Sequence, residues 1–271
     1  MSSKRRVVVT GLGIVSPLGN DLETTWKNIL NGESGAARIT KFDASDFSTT
    51  FAAELKGYDD ISGLTQKETR RIDPFVQYAL TASDQAITDA NLALENLDTK
   101  RIGVSIGSGI GGLGSIEDNS IILKEKGPKK ISPFFVPGAI INMASGNVAI
   151  KYNLQGPNIS IVSACSSAGH SIGYSARTIS YGDADIMITG GSEAGITPLG
   201  LAGFNASKAL STNNENPKKA SCPWDKKRDG FLLGEGSGIL VLEELDFARN
   251  RGAKIYGEVV GFGQSDDAYH I

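Results

Sequence analysis

Cys165 is the residue of this chain whose type and setting best suit nucleophilic chemistry. The preceding segment, NISIVSA, has the β-branched pattern of a strand, and the following SSAGHSIGYSARTISYG is long enough for a helix that ends at Gly182. A strand-to-helix turn exposes the sulfur at the end of a sheet and directs helix N–H groups at it, which favours the thiolate and supplies a donor for an oxyanion. The pattern predicts a nucleophile elbow at Cys165. Position alone leaves a second interpretation open, in which Cys165 is a small buried side chain.

A thiolate usually works with a base or an electrophilic partner, and the histidines of the chain are His170 and His270. At about 100° per residue, a helix turns His170 roughly 140° away from Cys165. We therefore predict that His170 packs or orients rather than acting as a base. His270 falls in a late loop and is the less favoured candidate for catalysis.

Two other patterns suggest different chemistry. Gly107, Gly109 and Gly112 fit GxGxxG after a strand, but the Lys- and Pro-broken loop KEKGPKKISPFFVP follows where a dinucleotide-binding fold has a second strand. These glycines instead allow the backbone to approach a substrate chain or a neighbouring element. Cys222 precedes Pro223 in a polar loop and receives no role. Two distant cysteines and two distant histidines offer no metal-ligand spacing, so we expect neither a metal nor another cofactor.

The elements that would position Cys165 indicate an α/β protein. Short β-branched runs alternate with helical segments, which predicts a mainly parallel sheet covered on both faces. Asp73 and Pro74 suit the cap and first position of a helix that runs to about Asn91. The ranges 34–68 and 204–228 are rich in polar residues, Gly and Pro, and are predicted to be loops outside the layers. The predicted strands are residues 6–10, 102–106, 159–162, 186–189, 239–242 and 255–260.

Composition narrows the class of protein. The 271 residues are 40% hydrophobic and 21% charged, as in soluble globular proteins, and a net charge of -3 gives no overall attraction to nucleic acid or to an anionic membrane. The start, MSSKRRVVVTGLG, has an apolar run too short for a secretory signal, and no run is long enough to span a bilayer, so we expect a cytoplasmic protein. Two basic clusters, 67–71 and 129–130, are either solvated surface or docking sites for an acidic partner.

Long segments spread along the chain carry a family resemblance. They are RRVVVTGLGIVSPLGN, RIGVSIGSGIGGLG, KKISPFFVPGAIINM, SACSSAGHSIG, GDADIMITGGSEAGITPLGLAGF, ALST, PWDKKRDGFLLGEGSGILVLEE and GAKIYGEVVGFGQSDDAYHI. With these segments the chain resembles the β-ketoacyl-acyl-carrier-protein synthases, and within them the type II condensing enzymes of bacterial fatty-acid synthesis. The resemblance extends over essentially all of the sequence.

The resemblance implies a thiolase-like layered α/β fold (αβαβα) made of two similar halves, working as a homodimer. Residues 1–251 would form the first half, and 252–271 the opening strand and loop of the second. Cys165 would take an acyl group from an acyl carrier protein, and the enolate formed from malonyl thioester would attack the acyl-cysteine. Ile110 and Phe204 would line the acyl channel, and Phe135 would reach the channel of the partner subunit. The residues implied to contact the acidic carrier protein are Lys67, Arg70, Arg71, Lys129, Lys130 and Lys208.

The family's two catalytic histidines, a supporting Lys and a gating Phe lie in segments beyond Ile271. The resemblance therefore implies that this chain alone does not condense. Two alternatives remain at the level of sequence: a non-condensing partner subunit, which usually lacks the nucleophile, and a thiolase-like enzyme that uses coenzyme A. A cysteine hydrolase would need a nearby histidine that the chain does not supply.

Overall fold

The computed structural model describes residues 5–58 and 63–269. The strands are β1 (Val7–Val15), β2 (Ala37–Arg38), β3 (Phe51–Ala52), β4 (Ile102–Gly107), β5 (Asn158–Ile159), β6 (Ile186–Ala194), β7 (Glu235–Glu244) and β8 (Gly257–Glu258). The helices are α1 (Leu22–Leu30), α2 (Gln66–Thr69), α3 (Pro74–Asp89), α4 (Leu113–Lys126), α5 (Phe135–Ala139), α6 (Met143–Tyr152), α7 (Ser167–Tyr181), α8 (Pro198–Ala206) and α9 (Leu245–Asn250). No helix of the described ranges is long and apolar enough to cross a bilayer.

The main sheet is mixed, with the strand order β5-β4-β6-β7-β1-β8. Strands β5, β4 and β6 pair in parallel, whereas β7 is antiparallel to β6 and β1, and β8 is antiparallel to β1. The expectation of a mainly parallel sheet was therefore wrong. Ala194, the last residue of β6, is paired with Glu235, the first residue of β7. Helix α8 and the long loop after it therefore return the chain to the end of the sheet where β6 stops. Strand β7 must then run opposite to β6.

Helices cover both faces of the sheet, as predicted. On one face, Ile186 and Ile188 of β6 join a core cluster with Val76 and Val148 from α3 and α6. Because side chains alternate along a strand, Met187 points to the other face, where it packs with Ile179 of α7. The result is a three-layer α/β/α arrangement, and the expected α/β class is confirmed.

Helix α3 begins where the sequence predicts. Asp73 caps it by accepting from the Phe75 N–H at 3.3 Å, and Pro74 occupies the first turn. The helix lies very close to β1, since a Cβ added at Gly13 would come within 1.9 Å of the Ala82 carbonyl oxygen. Gly13 is therefore required for this close approach.

The edge strands are shorter than the sequence pattern suggests. Of the predicted run 159–162 only Ile159 is in β5, and of 255–260 only two residues form β8. Each of these strands has one neighbour in the sheet, so fewer ladder bonds hold it. The central strands extend further than predicted, with β1 continuing to Val15 and β6 to Ala194. The predicted loop range 34–68 contains the small β2–β3 ladder.

Candidate active site

Cys165 lies in a tight turn between β5 and α7. The chain leaves β5 at Ile159, and Ala164 adopts a left-handed backbone with a φ of 50°. The exposed side chain of Cys165 follows, and α7 begins at Ser167. We call residues 163–167 the nucleophile turn. A left-handed conformation costs a residue with a Cβ about 1–2 kcal/mol, so neighbouring contacts must stabilise this turn.

Hydroxyl groups hold the nucleophile turn. The Ser163 N–H donates to the Ser167 hydroxyl at 2.9 Å, and that hydroxyl donates to the Ala164 carbonyl at 2.7 Å. The Ser166 hydroxyl donates to the Ser163 carbonyl at 2.7 Å. Ser163 Oγ also lies 2.6 Å from Nδ1 of His170. These bonds connect the residues on both sides of the nucleophile and fix its backbone.

A cavity of about 700 Å³ opens at Cys165. We call it the cysteine cavity. Ile110 and Phe204, which the resemblance assigns to the acyl channel, lie on its wall. Much of the remaining wall is glycine from the ends of the central strands, including Gly107, Gly191, Gly236 and Gly238. The Cys165 N–H has no hydrogen-bond acceptor within residues 5–58 and 63–269, so it is available to a ligand.

Glu193, at the end of β6, lines the same cavity and is bonded to the turn formed by residues 108–111. Its carboxylate accepts from the Ser108 hydroxyl at 3.0 Å, the Gly109 N–H at 2.5 Å and the Ile110 N–H at 3.3 Å. The Ser108 hydroxyl in turn accepts from the Gly111 N–H at 3.0 Å. No ion pair among the described residues includes Glu193. The charge of this carboxylate is therefore balanced by N–H and O–H donors of a single turn.

Residues 4–248 match the sequence profile of a family described as "Beta-ketoacyl synthase, N-terminal domain". The chain belongs to the β-ketoacyl synthase family. It is 56% identical over 269 residues to the 3-oxoacyl-[acyl-carrier-protein] synthase 2 of Vibrio cholerae, an alignment that covers 99% of this chain and 65% of that protein. It is 49% identical to a protein of the same name from Staphylococcus aureus, covering 100% of this chain and 65% of that protein.

Solved structures of β-ketoacyl synthases and ketosynthases have the same fold. A β-ketoacyl synthase from Burkholderia phymatum superposes with a TM-score of 0.89 at 32% identity, covering 98% of this chain and 65% of that one. A ketosynthase of a type II polyketide synthase, solved with its acyl carrier protein and a hexaketide, superposes with a TM-score of 0.87 at 35% identity over 98% of this chain and 65% of that one. The chain spans about 65% of the length of these relatives.

A second cavity of about 500 Å³ adjoins the first in this β-ketoacyl synthase domain. We call it the apolar cavity. Phe135 lies on its wall together with Val136, Ile140 and Val162, and not on the wall of the cysteine cavity. Ile110 lines both cavities. The structure thus brings Ile110 and Phe204 together with Cys165 on the wall of the cysteine cavity, and places Phe135 on the wall of the apolar cavity.

The six basic residues implied to contact a carrier protein are all exposed. Lys67 lies in α2, and Arg70 and Arg71 follow that helix. Lys129 and Lys130 lie in the 3₁₀ turn at Pro128–Lys130, and Lys208 follows Ser207 after α8. None of them forms an ion pair with a residue of the described ranges. The Arg71 guanidinium lies over the Phe134 ring, 4.6 Å from its centroid.

The histidines stand apart from the sulfur chemistry. His170 uses Nδ1 to bond Ser163, and its ring packs edge-on against Phe262 with centroids 6.1 Å apart, which agrees with the orienting role expected from the sequence. His270 lies outside the described residues. Cys222 is half-buried, its sulfur 3.6 Å from the Ala220 carbonyl oxygen, and it does not line the cysteine cavity.

Sequence reasoning missed Glu193. Its only sequence signal is that it follows the predicted strand 186–189, at the end of a sheet strand where ligand sites of α/β folds gather.

Proposed function

We propose that this chain is the nucleophile-bearing part of a 3-oxoacyl-[acyl-carrier-protein] synthase of fatty-acid elongation, in which Cys165 takes up the acyl group. The proposal depends on one observation: Cys165 is exposed at the start of α7, on the wall of a cavity that also contains Ile110 and Phe204. The names of the relatives from V. cholerae and S. aureus support this activity.

In the first transfer, the Cys165 thiolate attacks the carbonyl carbon of an acyl thioester carried by the acyl carrier protein. A C–S bond to Cys165 forms, the C–S bond to the carrier breaks, and the carrier leaves as a thiolate. The free Cys165 N–H, just before α7, is a donor for the oxyanion that forms on the carbonyl.

In the second stage, a malonyl thioester loses carbon dioxide, and the electron pair of the broken C–C bond forms an enolate. The enolate carbon attacks the acyl carbonyl on Cys165, which releases the cysteine thiolate and a 3-oxoacyl thioester. The described wall of the cysteine cavity contains no histidine, lysine or arginine to stabilise the enolate. We propose that groups outside this chain do so, and that the chain alone accepts an acyl group without condensing it.

The proposed carrier is an acidic acyl carrier protein. The six exposed basic residues without ion pairs suit an acidic surface. A solved ketosynthase with a TM-score of 0.87 to this chain is in complex with its acyl carrier protein, which supports the same kind of partner here.

We also propose that the protein forms a homodimer in which Phe135 reaches the acyl channel of the partner subunit. We propose in addition that the first structural half ends at Arg251.

The test is acylation of the protein by acyl-carrier-protein thioester, followed by mass analysis of its peptides. We expect the acyl group on the peptide that contains Cys165, no acylation of the Cys165→Ser variant, and unchanged acylation of Cys222→Ser, which removes the other thiol. An unmodified Cys165 would overturn the proposal and favour a non-condensing partner subunit.

A second measurement separates carrier protein from coenzyme A. Charge reversal by Lys67→Glu, Arg70→Glu and Lys129→Glu should raise the KM for the carrier-protein thioester and leave the KM for the coenzyme A thioester of the same acyl group unchanged. Equal KM values for wild type and variants with both donors would favour the coenzyme A-dependent alternative.

A further inference from the structure

We infer that Glu193 is a positioning residue that fixes Ile110 between the cysteine cavity and the apolar cavity, and thereby limits the acyl-chain length that Cys165 accepts. This inference rests on the proposed transfer of an acyl group to Cys165. It concerns a carboxylate that takes no part in the proposed bond-making steps.

The contacts of Glu193 are directed at one short turn. Its carboxylate binds the consecutive N–H groups of Gly109 and Ile110 and the hydroxyl of Ser108. Consecutive backbone N–H groups form a concave site for an anion, and bonds to an ionised acceptor are stronger than those between neutral groups. The backbone of Ile110 is therefore held by Glu193 rather than by a regular helix or strand.

The same turn also packs against the nucleophile turn. The Ser167 hydroxyl lies 3.4 Å from the Ser108 carbonyl oxygen. A Cβ added at Gly109 would lie 2.9 Å from a Glu193 oxygen and 3.6 Å from the Ala164 carbonyl oxygen. The turn thus contacts both Glu193 and the residues beside Cys165, so the carboxylate helps to set the position of Ile110 relative to the sulfur.

The position of Ile110 determines which space an acyl chain can enter. Ile110 lines both cavities, so its side chain lies where a chain bound to Cys165 would pass from about 700 Å³ of space into a further 500 Å³. A firmly held Ile110 favours short chains that fit the cysteine cavity. A loosened turn would let Ile110 move aside and admit longer chains.

A role in proton transfer fits the geometry less well. Both carboxylate oxygens of Glu193 already accept hydrogen bonds, and no described cation pairs with it. An ionised carboxylate accepts at both oxygens, whereas a glutamine amide presents an NH₂ group to one of the donors. Glu193→Gln should therefore loosen the turn with little change in side-chain volume.

The experiment compares acylation of Cys165 by hexanoyl and dodecanoyl thioesters of the same acyl carrier protein, in wild type, Glu193→Gln and Glu54→Gln. Glu54 is a matched control, because it is a buried glutamate that accepts from the backbone N–H groups of Thr40 and Lys41, and it does not line either cavity. For Glu193→Gln we expect the dodecanoyl-to-hexanoyl rate ratio to rise about 2–10-fold, the range for loss of one hydrogen bond. For Glu54→Gln we expect no change of this ratio and no change in the rate at which iodoacetamide alkylates Cys165.

Two further variants keep the test decisive if Glu193→Gln folds poorly. Ser108→Ala removes one donor to the carboxylate and should shift the ratio in the same direction. Ile110→Ala should raise the ratio by itself, and adding Glu193→Gln to it should raise the ratio no further. An unchanged ratio, an equal loss of both rates, or a full additional effect in the Ile110→Ala background would overturn the inference. Wild-type protein that is alkylated by iodoacetamide but acylated by neither thioester would instead overturn the proposed function on which the inference rests.

Discussion

Ser163 and His170 are joined across the nucleophile, with Ser163 Oγ 2.6 Å from His170 Nδ1. Ser163 lies on the strand side of Cys165 and His170 on the first turns of α7. The His170 ring packs against Phe262, which also contacts the Tyr174 ring and has the Arg177 guanidinium 4.9 Å from its centroid. This arrangement fixes the backbone on both sides of the sulfur and makes His170 a residue that positions Cys165.

Replacing His170 by phenylalanine should therefore destabilise the protein and slow the alkylation of Cys165. The change keeps a planar ring but removes the partner of the Ser163 hydroxyl, which costs about 1–3 kcal/mol of unfolding free energy for a part-buried polar group. Urea denaturation and iodoacetamide kinetics measure the two effects. Ser163→Ala completes a double-mutant cycle, in which the two changes together should cost clearly less than their sum. Strict additivity would show that the bond contributes nothing to the fold or to the turn.

The position of Cys165 could be predicted from the sequence because it depends on local patterns. An apolar run followed by a segment of small residues that is long enough for a helix and ends at Gly182 predicts a turn and a helix, and the structure has α7 ending at Tyr181 with Gly182 in a left-handed conformation at its C-cap. The start of α3 was predictable for the same reason, since Asp73 and Pro74 act within one turn of helix.

Strand direction and the contacts of Glu193 could not be predicted in this way. A strand has the same apolar sequence pattern whether it pairs in parallel or antiparallel. The direction of β7 therefore depends on the path of the long segment before it. The Glu193 carboxylate meets residues 108–110 only because β6 lies beside β4 in the sheet. Such a contact between distant segments leaves no periodic signal in the sequence.

A methyl group at Gly107 should disturb the nucleophile turn. A Cβ there would come within 2.7 Å of the Ser167 carbonyl oxygen, at the start of α7. Overpacking of this kind costs about 1–3 kcal/mol, so Gly107→Ala should lower the unfolding free energy and, by shifting α7, change the alkylation rate of Cys165. Gly257→Ala is the matched control on β8, because nothing lies within 4 Å of its added Cβ and it does not line the cysteine cavity. Equal effects of the two variants on alkylation would contradict this account.

Asp185 should contribute to stability in a pH-dependent way. Hydrogen bonds and charge from Arg101 and then Arg5 hold the pKa of its carboxyl below its ordinary value, with Oδ2 at 2.9 Å from Arg101 Nε and Oδ1 at 2.5 Å from Arg5 Nη2. Because the folded pKa is lower than the unfolded pKa of about 3.9, the stabilisation is present above about pH 4 and is lost as the pH falls through the folded pKa.

The Asp185→Asn variant should consequently have a lower Tm than wild type at pH 6, and the difference should shrink toward pH 3. Thermal unfolding monitored by circular dichroism across this range is the measurement. Asp246→Asn serves as the control, since Asp246 is 80% exposed and 4.0 Å from Arg249, and exposed pairs contribute about 0–1 kcal/mol. A difference in Tm between wild type and Asp185→Asn that stays constant with pH would refute the assignment.

Arg251 should be among the costliest side chains to remove, because its partner Glu243 is fully buried. The side chain of Glu243 has no exposed surface, and Arg251 is 18% exposed. Arg251 Nε donates to Glu243 Oε2 at 2.8 Å, its Nη2 donates to Oε1, and the Thr10 hydroxyl donates to the same carboxylate. Since Thr10 lies on β1 and Glu243 on β7, this group ties the residue after α9 to the centre of the sheet.

The Arg251→Met variant keeps most of the apolar stem but leaves a buried carboxylate without its cation, which should cost about 3–5 kcal/mol in urea denaturation. Adding Glu243→Gln removes the unpaired charge, so the double variant should recover a large part of that loss. Arg249→Met is the control, because Arg249 is 61% exposed and its pair with Asp246 is 4.0 Å long, and we expect a change below about 0.5 kcal/mol. If Arg251→Met and Arg249→Met cost the same, Glu243 must be satisfied by Thr10 and the backbone alone. A double variant less stable than Arg251→Met would show that the unpaired charge of Glu243 is not the main cost of removing Arg251.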